Sequence, residues 1–205
     1  MAISVDRPIL FDSDVVCLAG AEPTAVDVGP DGERMTYLAE KDGEPEGSPF
    51  AIPITLFFVH GDGRYRLQEG RVAKGLTGVV SPPVVAAAVR SVCDGEISVL
   101  SRTVDFDLTD IDPALLPTRS QVVELLGAPN ARAPGDAGDA LAYDYSVRDG
   151  DRRATAHVVA RFDAAGTIRT VDVRYLGHRF EARFDDCRAR LTAAPLRALG
   201  CAFVD

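Results

Sequence analysis

The pattern Ser-x-Val-Val-x-Leu-x-Gly-Ala, followed by proline, occurs twice in this chain, at 13–23 (SDVVCLAGAEP) and at 120–129 (SQVVELLGAP). A repeat means that one supersecondary unit has been used twice, so it constrains the organisation before any motif is read. In the second copy Thr118 and Gln121 have capping-box spacing, Val122, Leu125 and Leu126 share a helical face, and Gly127 is placed to end the helix in a left-handed conformation. Val15, Leu18 and Gly20 take those roles in the first copy. Helices of about two to three turns do not persist alone and need a sheet to pack on.

The parallel continues downstream. Each helix leads into a Gly/Asp-rich stretch, 26–33 or 133–139, then a strand at 35–40 or 140–147. A polar loop and a longer strand follow, at 52–59 or 154–162. A tight turn around Gly61-Asp62-Gly63 or Ala164-Ala165-Gly166 then leads into a third strand, near 64–69 or 167–175. Between the copies, Ser81-Pro82 opens a helix through 82–93, and 96–106 reads as a strand. After Gly177, HRFEARF alternates like an added strand, and 195–199 reads as a short helix. The expected fold is α+β: two tandem units, each a helix plus an antiparallel three-stranded meander, with a linking helix and strand, and with a shared sheet and two packed sheets both left open. The boundaries are 1–75, 76–117, 118–176 and 177–205.

Residues 120–129, the strand around Tyr143 and Tyr145, and ARFDAAGTIRTVDV at 160–173 resemble the SmpA/OmlA (BamE-like) domain family. Its pattern is a helix ending Leu-x-Gly-x-Pro, an aromatic-bearing strand and a Phe-Asp-x-x-Gly hairpin. Two such units in one chain look like the tandem architecture of the β-lactamase inhibitory protein. The resemblance covers roughly 11–69 and 118–175, with Val59-His60 in the first copy where the pattern has Phe-Asp. It implies a non-catalytic scaffold whose sheet or loops bind another protein.

Charge narrows the partners. A net charge of −9 repels phosphate backbones and anionic lipid heads, which excludes nucleic-acid and membrane-surface binding and favours a basic protein partner. The N-terminal stretch lacks a basic region and a continuous apolar core, so a cytoplasmic location is expected. Cys17, Cys93, Cys187 and Cys201 form no C-x-x-C pair and read as buried thiols; a bridge between Cys187 and Cys201 would need an oxidising compartment.

Catalytic signatures are sparse. The acidic run 105–112 carries Asp105, Asp107, Asp110 and Asp112, which could bind a metal or act as acid and base, but it lacks the glycine-turned spacing of a calcium loop. His60, His157 and His178 have no metal-ligand or nucleophile spacing. No nucleophile elbow, phosphate loop or dinucleotide fingerprint is present, so no catalytic residue, metal or cofactor is expected.

Strand alternation is more informative. Ala156, Val158, Ala160 and Phe162 should pack on the helix, leaving His157, Val159 and Arg161 on the other face with Asp144, Asp172 and Arg174 from neighbouring strands. The matching face of the first unit carries Leu38, Phe57 and Val59, and needs a cover such as helix 82–93, the other sheet or a partner. The reading is a non-enzymatic binding module of inhibitor, immunity or assembly-adaptor type. Its partner-binding residues are Asp144, His157, Val159, Arg161, Asp172, Arg174, Leu38 and Phe57. The alternatives are a small hydrolase-like or ligand-binding enzyme built on the acidic run and a structural subunit of a larger assembly.

Overall fold

A computed structural model describes residues 2–4, 11–19, 21–72, 96–98, 103–135, 138–149 and 152–192. These residues are mostly antiparallel β-sheet. The strands are β1 (Ala2–Ser4), β2 (Ala25–Gly29), β3 (Gly32–Lys41), β4 (Ile52–Gly61), β5 (Arg64–Val72), β6 (Glu96–Ser98) and β7 (Thr103–Asp107), then β8 (Ala131–Gly135), β9 (Gly138–Asp149), β10 (Arg152–Phe162), β11 (Ile168–Tyr175), β12 (His178–Arg183) and β13 (Arg188–Thr192). They form one sheet in the order β1-β5-β4-β3-β9-β10-β11-β12-β13-β7-β6, with β2 beside β3 and β8 beside β9. The sheet curls into a half-barrel.

This corrects the α+β tandem of helix-plus-meander units. The Gly/Asp-rich stretches read as loops are hairpins, in which β2 pairs with β3 from Ala25↔Thr36 to Gly29↔Gly32 and β8 pairs with β9 from Ala131↔Ala142 to Gly135↔Gly138. The stretch 96–106 is also a hairpin rather than one strand, since Glu96 lies opposite Asp105. Beyond the expected meander, β12 and β13 extend the sheet until β13 meets β7. The helices α1 (Asp12–Ala19) and α2 (Arg119–Leu126) have only eight residues each, too few to form a layer over such a sheet. The linking helix 82–93 and the helix 195–199 lie outside the described residues.

The N-terminal signal of α2 holds, since Thr118 and Gln121 cap it reciprocally. Gly127 ends the helix at φ 73° and ψ −164°, a glycine conformation but not the left-handed helical one expected. At the β4–β5 turn Asp62 and Gly63 both have positive φ, 53° and 77°, as a two-residue primed hairpin turn requires.

The main core lies on the face that α2 covers. Leu141, Tyr143 and Tyr145 of β9 pack there with Ala160 and Phe162 of β10 and Val122 of α2. A smaller cluster holds Val15 of α1 with Met35, Tyr37 and Phe58. The two halves join where β3 meets β9, through Ala39↔Val147, Glu40↔Ser146 and Lys41↔Tyr145. Side chains alternate through this joint, so the sheet has one core face and one opposite face running across both halves.

Candidate functional site: the open sheet face

The residues of that opposite face are set by register. Across the second half, Asp144 lies opposite His157, which lies opposite Arg174, which lies opposite Arg179. One row over, Val159 lies opposite Asp172, Asp172 opposite Glu181, Glu181 opposite Arg190 and Arg190 opposite Asp105. Arg161 begins a third row. The structure therefore brings Asp144, His157, Val159, Arg161, Asp172 and Arg174 together on one surface.

Their contacts form a polar lattice. His157 Nδ1 is 2.5 Å from Asp144 Oδ1, a pair tied at its base to the joint between halves. The Asp144 amide donates to Asn130 Oδ1 at 3.0 Å, and Asn130 Nδ2 donates to the Asp42 carbonyl at 2.9 Å. Asp172 is the buried member, with a side chain only 6% exposed beneath two arginines. Arg174 Nε donates to its Oδ1 at 3.0 Å and Arg179 Nε to its Oδ2 at 2.7 Å. The hydrogen bond that Arg179 donates to Asp172, and then the Asp172 charge, push the Arg179 pKa further up. A buried carboxylate needs such partners, and the two hydrogen bonds tie both guanidinium groups to Asp172.

Leu38 and Phe57 lie on the same face in the first half. Leu38 is half-buried opposite Pro53, and its amide donates to Thr24 Oγ1 at 3.1 Å. Phe57 is half-buried between two guanidinium groups, with Arg34 4.8 Å and Arg71 4.4 Å from the ring centroid. These arginines supply part of the cover its apolar ring needs. Val59 stays exposed and lines, with Val28, Pro30 and Phe57, a groove of about 660 Å³ at this end of the sheet.

Sequence reasoning did not assign Arg179, Glu181, Arg183 and Arg190 to this surface. HRFEARF contains the signal, because Arg179, Glu181 and Arg183 alternate with Phe180, Ala182 and Phe184. The missing information was which strand they join. The acidic run lies elsewhere in role: Asp105 accepts from Arg190 at 2.6 Å and 3.2 Å, Asp107 from the Thr109 amide and Asp112 from the Ala114 amide, each at 2.9 Å. The Thr109 amide holds the Asp107 carboxyl below its ordinary pKa. Among the described residues no group of three His, Cys, Asp or Glu side chains could hold a metal ion. His60 stands edge-on to Tyr65 at 5.2 Å, and burial lowers the pKa of His178. Cys187 is half-buried with its thiol toward the Phe184 carbonyl, and Cys93 and Cys201 lie outside the described residues. Among the described residues no helix is long and apolar enough to cross a membrane.

Comparison with protein families, curated proteins and solved structures finds no match to this chain.

Proposed function

We propose that this protein is a non-enzymatic binding module, of inhibitor, immunity or adaptor type, which grips another protein with the open face of its sheet. One observation carries the reading. Register aligns His157, Val159 and Arg174 in adjacent rows on a face opposite the helices, and Asp144 and Asp172 hold their polar neighbours in place. Arginine and aromatic side chains held in fixed positions around apolar seats are what protein interfaces use at their centres. The engagement of Asp105, Asp107 and Asp112 by backbone amides and Arg190 weighs against a reactive carboxylate cluster. The motif resemblance of 120–129 and 160–173 to the SmpA/OmlA domain points toward the same kind of scaffold.

The test is affinity capture with the intact chain, followed by hydrogen exchange on the complex with the captured partner. The reading expects slowed exchange in β10 and β11, and loss of the partner when Val159→Arg places a bulky charge on the face. A partner that stays bound to Val159→Arg and protects only α1, α2 or the turns sinks it. The structural-subunit reading keeps one observation in its favour: Val26 and Val28 on β2 are 49% and 65% exposed. Concentration-dependent self-association in sedimentation, abolished by Val28→Lys, would support that alternative.

A further inference from the structure

The edge strands among the described residues are β1, β6, β8 and β2. β1 and β6 have three residues each, and β8 carries Pro134, which has no N–H to donate. β2 has five residues, none of them proline and every one exposed. It pairs with β3 alone among the described residues, so alternate N–H and C=O groups along its outer edge are open to another strand.

The side chains beside this edge break two local rules. Val26 lies opposite Met35 and Val28 opposite Glu33, so both valines stand on the core face, where Met35 belongs to the cluster under α1. They continue that apolar surface outward, yet they are 49% and 65% exposed. Glu33, by contrast, is only 8% exposed. Among the described residues its carboxylate has no hydrogen-bond or ion-pair partner, and its charged neighbour is Asp12 of α1, of the same sign. Burial, and then Asp12, raise its pKa. Asp31 adds a third carboxylate, exposed in the turn between β2 and β3, and lines the groove at this end together with Val28 and Glu33. Asp27 stands on the opposite face, across from Arg34. A buried carboxylate without a cation costs stability, and that cost beside an unpaired edge fits a cation that arrives from outside.

We propose that β2 receives an added strand from a basic partner protein, which seats an apolar side chain against Val26 and Val28 and brings a lysine or arginine to Glu33, Asp12 and Asp31. Strands lie about 4.8 Å apart, so the added strand stands about 10 Å from β3, a span that a long basic side chain and the glutamate close between them. Main-chain hydrogen bonds along the edge supply affinity, and the alternating side chains supply selectivity. This edge is separate from the rows of the open face. A second copy of this chain is a poor occupant, because antiparallel pairing of β2 with itself about its midpoint opposes Asp27 to the other copy's Asp27 and supplies no cation to Glu33.

The experiment titrates the isotope-labelled full chain with the end-blocked peptide Thr-Lys-Thr-Val-Thr-Lys-Thr, following backbone amide shifts and exchange. The peptide reads the same in both directions, and its alternation puts lysine and valine on one face. Amides of Val26, Asp27 and Val28 should shift and exchange more slowly. Glutamate in place of both lysines should abolish binding, and proline in place of the central valine should weaken it at least about tenfold. Glu33→Gln should weaken the lysine peptide at least about fivefold while raising the urea midpoint of the free chain. Val28→Lys, which supplies a cation from the neighbouring strand, should act in the same two directions. The proposal is overturned if the lysine peptide leaves β2 unmoved, if the glutamate or proline peptide binds as well, or if Glu33→Gln binds as tightly as the parent. A lower urea midpoint in Glu33→Gln would make the carboxylate a structural one and equally overturn it. Self-association of the parent in sedimentation that slows exchange in β2 would replace the basic partner with a second copy. The open-face reading is judged separately by capture with Val159→Arg.

Discussion

At the residue scale, the joint between the halves depends on a buried lysine. Lys41 is 4% exposed, donates to the Ala128 carbonyl, lies 3.7 Å from Glu44, and sits 5.1 Å and 5.5 Å from the ring centroids of Phe50 and Tyr143. Gly127 closes over it, since a Cβ there would come within 2.9 Å of Lys41 Nζ and 2.8 Å of the Phe50 ring, at φ +73°. Gly127→Ala should therefore cost about 1–3 kcal/mol, read as a lower urea midpoint with an unchanged slope. A midpoint equal to the parent's would mean that the cage yields freely. The buried tyrosines make a second test. Burial, then the charges of Glu22 and Tyr175, push the Tyr37 hydroxyl from 10.0 up to about 12, and burial raises Tyr143 and Tyr145 as well. The unfolded chain ionises these groups near 10 while the folded one keeps their protons. Their contribution is thus whole below pH 10 and is lost as pH rises through the folded values, about 2–3 kcal/mol at most for Tyr37. Stability measured between pH 9 and pH 12 should fall, and Tyr37→Phe should flatten that fall. An equal slope in the variant would remove Tyr37 from the account.

At the element scale, Asn130 links α2's exit loop to the joint and to the open face. It accepts from the Asp144 amide and donates to the Asp42 carbonyl, while Asp42 Oδ1 accepts from Ser146 Oγ at 2.6 Å. Asn130→Ala removes two exposed hydrogen bonds whose partners water can then meet, so a loss of about 0.5–1.5 kcal/mol is expected, together with shifts of the Asp144 and His157 amides. Unmoved amides would show that Asp144 is positioned by the strand alone. The strands themselves were largely legible. Alternation at 35–40, 52–59, 140–147 and 154–162 marked β3, β4, β9 and β10, because a half-buried strand writes its two faces into the sequence with period two. The same alternation put His157, Val159 and Arg161 on one face, and so made most of the candidate site readable. What escaped were the strands whose composition imitates a turn. AVDVG is followed by Pro30-Asp31-Gly32, and ARAPG contains Pro134, so both read as loops until their hairpin partners are known. The pairing of β13 with β7 was illegible for another reason. Arg190 and Asp105 lie 85 residues apart, and nothing in either segment names the other.

At the scale of the whole molecule, a single sheet contains two unequal cores. The cluster under α2 gathers residues from β9, β10, β11, β12 and β13, whereas the cluster under α1 comprises Val15, Met35, Tyr37 and Phe58. Between them the backbone connection is short, with Ala39, Glu40 and Lys41 facing Val147, Ser146 and Tyr145. Buried apolar area is the main source of resistance to opening, and a strand flanked on both sides opens last. Amides of Val158 and Ala160, on a strand bonded to β9 and β11, should therefore exchange only when the whole protein unfolds. Those of Phe58 and Leu67, on β4 and β5, should exchange through a partial opening that is easier by about 2 kcal/mol or more, with a shallower dependence on urea. Equal free energies and equal urea slopes in both sets would mean that the three-residue joint couples the halves into one cooperative unit. Either result bears on binding. A first half that opens independently can reshape the Arg34–Phe57–Arg71 end of the face around a partner, while the rows from His157 to Arg190 stay fixed on the stronger core and hold the register of the contact.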